Sequence, residues 1–361
     1  MITGGESHGE KLVGILDGLP AGIRVDADYI TAMLRRRQGG YGRGKRMSIE
    51  EDSPRFVGGI HKGQTTGAPI VIELKNTAGN PVTSERFSPR PGHADFVGYK
   101  KFGHLDLNIP TERASARETA IRTALGAICK LFLKSLGIEV FAFVNRIGKV
   151  SMQTPYTEIK DIVKKTAESP VYCPDEGVSK KMVAEIDTAI QNKETLGGSF
   201  VVVSKGVPAG LGSYTQWDSR IDAALTFALM SIPSVKGVAI GDILKNSKEE
   251  GSKVQDMFSV KDGKITRETN HAGGIEGGTS NGEDIVLTAL LKPIPTVLSI
   301  KRSINIKTLK EETLNYIRSD TVVVPAASVV GEAMVSFVIS DFMMQRYGGD
   351  SLEEMLRRVT S

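Results

Sequence analysis

Residues 35–46 read Arg-Arg-Arg-Gln-Gly-Gly-Tyr-Gly-Arg-Gly-Lys-Arg, placing six cationic side chains and four glycines in twelve residues. Arginine forks grip phosphate and carboxylate oxygens at two points, and glycines let backbone N–H groups come close to an anion. The stretch therefore suits a multiply anionic ligand. A solvated basic loop, or an Arg/Gly-rich arm on nucleic acid, is the plainer alternative for these residues taken alone. A phosphate-binding P-loop is a false lead. Gly39 to Lys45 fits G-x-x-x-x-G-K, but Arg46 stands where the magnesium-binding Ser or Thr belongs, and the loop follows a helix rather than a strand.

Other short stretches carry chemistry-bearing residues. His8 lies in Gly5-Glu6-Ser7-His8-Gly9, where small neighbours let an imidazole approach a ligand. A turn whose histidine caps backbone groups is the alternative, and the adjacent Ser7 and His8 do not make a nucleophile–base pair. Pro89-Arg90-Pro91-Gly92-His93-Ala94-Asp95 is a stiff loop presenting Arg, His and Asp, read either as a site or as a turn held by a His–Asp hydrogen bond. Arg113, Ser115 and Arg117 fall where a helix is expected to open, a position that favours anions. Capping with exposed arginines is equally consistent. Lys292-Pro293-Ile294-Pro295-Thr296 offers an ammonium and a hydroxyl on a rigid loop, and residues 269–278 are glycine-dense. The five histidines show no metal-binding spacing, so no metal is expected.

The elements that must position these residues are legible in outline. Strands are expected at 68–74, 139–144, 199–204 and 285–291. Helices are expected at 29–37, from Glu112 to about Gly137, at 220–230 and at 326–347, with peripheral helices near 156–168 and 179–191. Gly18-Leu-Pro-Ala-Gly22-Ile is echoed by Gly206-Val-Pro-Ala-Gly210-Leu, each after an apolar run and before a helix, which suggests two related halves.

Composition sets the bounds. The chain has 361 residues, 40% hydrophobic and 24% charged, enough for one large domain or two. A net charge of +4 and a pI near 8.8 fall short of the dense positive surface of a nucleic-acid binder. Cys129 and Cys173 lie far apart, in keeping with a reducing compartment. No run of about 18 apolar residues marks a membrane span, and the first residues lack a secretory pattern. A cytoplasmic protein is expected.

Taken together, GESHG at 5–9, RRRQGGYGRG at 35–44, RPGHAD at 90–95, RASARET at 113–119, KPIPT at 292–296 and RSD at 318–320 resemble the chorismate synthase family, nearly end to end and in order. The resemblance implies an α+β fold, a β-α-β sandwich built by duplication. It implies a single domain over residues 1–361, whose halves meet roughly at 150–195, and a homotetramer. It also implies reduced FMN as cofactor and 5-enolpyruvylshikimate 3-phosphate as substrate, with 1,4-anti elimination of phosphate to chorismate and no net redox change.

Residue by residue, the resemblance places His8 near the leaving phosphate, His93 beside the reduced flavin and Asp320 in passage of the C6 proton. Arg37, Arg43, Arg46, Arg90 and Arg117 would form the substrate cradle. Arg113, Ala114, Ser115, Pro233, Ser234, Gly277, Lys292, Pro293, Ile294, Pro295, Thr296 and Arg318 would contact flavin. Position 114 is Ala where many members carry Ser, the segment before GESHG is short, and 75–88 is shorter than in many relatives. No added reductase domain is evident, so an external flavin reductase, rather than self-reduction with NADPH, is expected. The competing readings are a polyanion or nucleic-acid binder, which leaves RPGHAD and KPIPT without purpose, and a hydride-transferring flavoprotein. The absence of a G-x-G-x-x-G opening a βαβ unit argues against a nicotinamide site, though not against flavin.

Overall fold

The computed structural model describes residues 1–44, 52–77, 84–314 and 320–360. Two antiparallel sheets form the outer layers. The first runs in the order Ile2–Gly4, Lys11–Leu16, Ile70–Lys75, Pro54–Gly58. The second runs Val150–Ser151, Glu139–Ile147, Gly198–Lys205, Ile285–Leu291, Val235–Ile240. Setting aside the short Val150–Ser151 strand, both sheets have one plan. Two strands lead through a Gly-x-Pro-Ala-Gly turn into a helix, then come two more strands and a long helix. Gly18 and Gly22 have φ of 90° and 91°, and Gly206 and Gly210 have 75° and 95°, so the echoed turns share a backbone that only glycine adopts readily. Matched strand for strand, the second set of strands begins at Glu139.

Helices fill the space between the sheets. Ala27–Gln38 and Thr119–Ser135 lie on the first sheet, Ile221–Met230 and Val324–Tyr347 on the second, and the two pairs pack against each other. The first helix starts because the Asp26 side chain accepts from the N–H groups of Asp28 and Tyr29, and its last turn carries Arg35, Arg36 and Arg37 where the dipole favours cations. Strands of the first sheet alternate: Leu12 and Leu16, and Ile70, Ile72 and Leu74, face the helices. Val324–Tyr347 is apolar on nearly every side and opens with Pro325 in its first turn. Its length and composition alone would let it cross a membrane, but here it is buried as the central packing element. It meets Thr119–Ser135 so closely that a Cβ on Gly126 would sit 2.5 Å from Ala333 Cβ.

Two features depart from the sequence reading. The helix expected from Glu112 is broken: Asn108–Ala114 ends, Ser115 is extended at φ −65°, ψ 140°, a short 3₁₀ turn spans Ala116–Glu118, and the long helix starts at Thr119. The Ser115 hydroxyl accepts from Arg117 N, a local bond that competes with helix continuation. The 156–168 region is not merely peripheral. Ile162, with Tyr156 and Ile159, covers Phe141, Phe143, Val201 and Val203 on the outer face of the second sheet, which is why those strands are apolar on both faces. Between the helices, the buried Glu332 carboxylate is paired with Arg36 and Lys130. Burial would raise this carboxyl, but the two cations outweigh it and hold it below its ordinary value.

Candidate active site

Contacts between residues far apart in sequence join several of the flagged stretches. The 5–9 loop leaves the Ile2–Gly4 strand and reaches the helix Asn108–Ala114. There Glu112 accepts from His8 twice, from the backbone N at 2.7 Å and from Nδ1 at 2.6 Å. Thr111, one residue earlier, belongs to a second cluster. Its hydroxyl lies 2.8 Å from Asp95 Oδ1 and 3.0 Å from an Arg90 nitrogen. Asp95 is fully buried and takes hydrogen bonds from Arg86, Arg90 and His93, whose Nδ1 is 2.5 Å away. Burial by itself would raise the Asp95 carboxyl. The bonds from His93, Arg90 and Arg86 outweigh it and hold the group far below the usual carboxylate range.

From this second cluster the contacts continue around the site. Lys292 Nζ donates to Gly92 O at 2.9 Å, and Lys292 N donates to Ser234 O. Ser234 has a φ of 73°, a strained position of the kind that collects at functional sites. Thr195 Oγ1 donates to Ile294 O, and Leu196 N to Thr321 O. Asp320 accepts from Gly44 N at 2.7 Å and lies 3.4 Å from Arg43 Nε. Arg37, at the end of the same helix that leads to Arg43, donates to Thr119 Oγ1 and Ala116 O. The Ser115 hydroxyl donates to Ser7, which closes the circuit back at His8. Motifs spread from residue 5 to residue 321 are thus joined end to end.

The structure assigns different duties to the arginines. Arg43 and Arg90 border the circuit, though Arg90 is engaged with Asp95. Arg37 is buried against Thr119. Arg117 is closed on Asp52 by bonds of 2.6 and 2.7 Å and also donates to Asn76. Its charge is therefore balanced by a neighbouring carboxylate in this structure. Arg46 and Arg318 lie outside the described residues.

Among the residues expected to contact flavin, Arg113 is 47% exposed and donates to the Thr3 and Gly5 carbonyls. Ala114 and Ser115 adjoin it. Pro233 and Ser234 lie beside Lys292, Pro293, Ile294, Pro295 and Thr296 through the Ser234–Lys292 bond. Gly277 lines a groove with Arg220, Val238 and His271, and Ile221 N donates to the neighbouring Gly278 O at the start of the helix Ile221–Met230.

Sequence reasoning passed over Glu112, Thr111, Arg86, Asp52 and Asn76 as site residues. Their partners are far away in sequence, and no local pattern announces such a pairing. Among the described residues no group of three or more His, Cys, Asp or Glu could hold a metal.

Hollows of about 900 Å³ beside Cys173 and about 860 Å³ beside Gly277 lie off the circuit. A hollow of about 730 Å³ includes Arg90, Gly92 and His93, and one of about 140 Å³ includes Thr195 and Asp320. Convergence of cations, histidines and strained backbone locates the site better than volume does.

The comparisons agree with one another. The family model described as chorismate synthase matches residues 1–344. The chorismate synthase of Thermotoga maritima is 45% identical over 99% of this chain and 94% of its own length. That of Carboxydothermus hydrogenoformans is 45% identical over 99% and 96%. A crystal structure of chorismate synthase superimposes with a TM-score of 0.83 at 36% identity, over 99% of this chain and 95% of the other.

Proposed function

The chain belongs to the chorismate synthase family of lyases, and from that premise we propose that it converts 5-enolpyruvylshikimate 3-phosphate to chorismate with reduced FMN. The observation that carries this reading is the closed circuit of contacts linking His8, His93, Arg43, Lys292 and Asp320. The substrate has one phosphate and two carboxylates, and a cradle of Arg43, Arg37 and Arg46 answers that charge. The phosphate C–O bond breaks and a C6 proton is lost from the opposite face, leaving a new ring double bond. Negative charge grows on the departing phosphate, where His8 and the arginines stabilise it. Asp320 is the carboxylate assigned to carry the C6 proton onward.

A flavin mononucleotide suits the residues present. Arg113 and Lys292 offer cations for its phosphate, and the Pro293–Pro295 segment offers a stiff wall for a planar ring. When bound and reduced, that group supplies electron density that assists C–O cleavage without being consumed. His93, whose Nδ1 is bonded to Asp95, would hydrogen-bond it.

On family grounds the protein also assembles as a homotetramer, works in the cytoplasm and receives reduced flavin from a separate reductase. The test is anaerobic. Protein, chemically reduced FMN and 5-enolpyruvylshikimate 3-phosphate are mixed, and released phosphate and diene absorbance are followed together. Turnover with reduced but not oxidised FMN is expected. Folded, flavin-bound protein that releases no phosphate would overturn the assignment.

A further inference from the structure

We infer that Glu112 is a positioning residue that fixes His8 in one tautomer, with the proton on Nδ1 and Nε2 turned to the ligand. The inference rests on the reading of His8 as the group beside the leaving phosphate.

The geometry is specific. Both carboxylate oxygens of Glu112 accept from the same residue: Oε2 from the His8 backbone N at 2.7 Å, Oε1 from its Nδ1 at 2.6 Å. A carboxylate has no proton to give, so Nδ1 must carry one. A neutral His8 then has its lone pair on Nε2, and a protonated His8 presents Nε2–H. In both states Glu112 holds the Nδ1 proton, so proton exchange at this ring falls to Nε2.

The clamp is well anchored. Glu112 is carried on the Asn108–Ala114 helix, whose Thr111 is bound to Asp95 and Arg90 and whose Glu112 O accepts from Ser7 N. The loop is gripped from its other side by Asn76, which donates to Glu6 O and Gly9 O. One short helix thus sets the orientation of His8 through Glu112 and supports the His93 cluster through Thr111. An amide at position 112 supplies one acceptor oxygen where two are needed. Glutamine therefore faces either the backbone N–H or Nδ1–H with an NH₂ group, while keeping the size of the side chain.

The tautomer is read directly by solid-state nitrogen NMR of histidine-labelled full-length protein, with His8 identified by its loss in His8→Asn. At a pH of about 9, well above the usual imidazole range, the wild type is expected to show Nδ1–H at His8. A dominant Nε2–H form would overturn the inference with no variant needed. In Glu112→Gln the His8 signals are expected to split between tautomers. Its kcat should fall roughly tenfold or more, with substrate KM and flavin affinity within about threefold, and Glu112→Asp should recover part of the loss. Wild-type kcat in Glu112→Gln would also overturn it. If Glu112→Gln fails to fold, the wild-type spectrum decides alone. If the wild type shows Nδ1–H yet releases no phosphate from 5-enolpyruvylshikimate 3-phosphate, the functional reading fails and the clamp stands.

Discussion

Arg117 and Asp52 face each other as a two-point ion pair, 5% and 1% exposed, with oxygen–nitrogen distances of 2.6 and 2.7 Å. Arg117 also donates to Asn76, which holds the loop carrying His8. An arginine in a ligand cradle and an arginine in a scaffold look alike in sequence, but their losses read differently. Removing one partner of a buried pair leaves the other charge uncompensated, which costs about 3–5 kcal/mol. Asp52→Ala and Arg117→Ala are therefore expected to lower the urea midpoint sharply. If Arg117→Ala kept its midpoint and raised only the substrate KM, the arginine would belong to the cradle after all.

Acid should attack two defined places. Asp95 and Glu332 both sit below their unfolded values, which are about 3.9 for Asp and 4.3 for Glu. A depressed carboxyl stabilises the fold above its unfolded value, and that contribution is lost as pH falls toward its folded value. Urea midpoints should therefore hold above about pH 5 and drop as pH falls below about 4. Asp95→Asn is expected to be less stable at neutral pH and to lose less on acidification. A variant curve parallel to the wild type would remove Asp95 from the account.

What the sequence disclosed and what it withheld separate along physical lines. Ile285–Leu291 was legible to the residue because a short apolar run closed by Pro293 and Pro295 is a local signal. The paired Gly-x-Pro-Ala-Gly turns pointed to two halves before their matching strand order was visible. The break at Ser115 was not legible, because a single hydroxyl bond to Arg117 N decides it within an otherwise helical pattern. The basic and histidine-bearing loops marked themselves as anion-binding by type. Which charges stay available could not be read, since Glu112 meets His8 across 104 residues and Asp52 meets Arg117 across 65.

The sandwich depends on close approach at its centre. A Cβ on Gly126 would lie 2.5 Å from Ala333 Cβ and 2.6 Å from Ala333 O. The second atom is backbone, so side-chain rotation cannot relieve the clash, and the two long helices must move apart. Gly126→Val is expected to destabilise by at least about 1–3 kcal/mol, the usual cost of overpacking, and to lower the thermal midpoint. Gly137→Ala, with nothing within 4 Å of its Cβ but a φ of 78°, isolates backbone strain from crowding. If Gly126→Val unfolded at the wild-type temperature, the helices would not be packed as closely as described.

Arg43 and His93 separate binding from turnover. Arg43 is 12% exposed and has a single ion pair described, with Asp320 at 3.4 Å. Its loss leaves most of the circuit in place. A charge-assisted hydrogen bond contributes about 1.5–3 kcal/mol, so Arg43→Ala should raise substrate KM by roughly 10- to 100-fold. The urea midpoint should move little. His93 is different, because its Nδ1 is bound to Asp95 while Arg86, Arg90 and Thr111 also hold that carboxylate. The loop should therefore survive His93→Ala, and flavin affinity should change by less than about threefold. Turnover should fall by about 100-fold if the imidazole acts at the flavin as proposed. Flavin titration and single-turnover phosphate release on the same variant give the two numbers. Equal losses in both would make His93 a structural partner of Asp95 and move the proton-handling role elsewhere in the circuit.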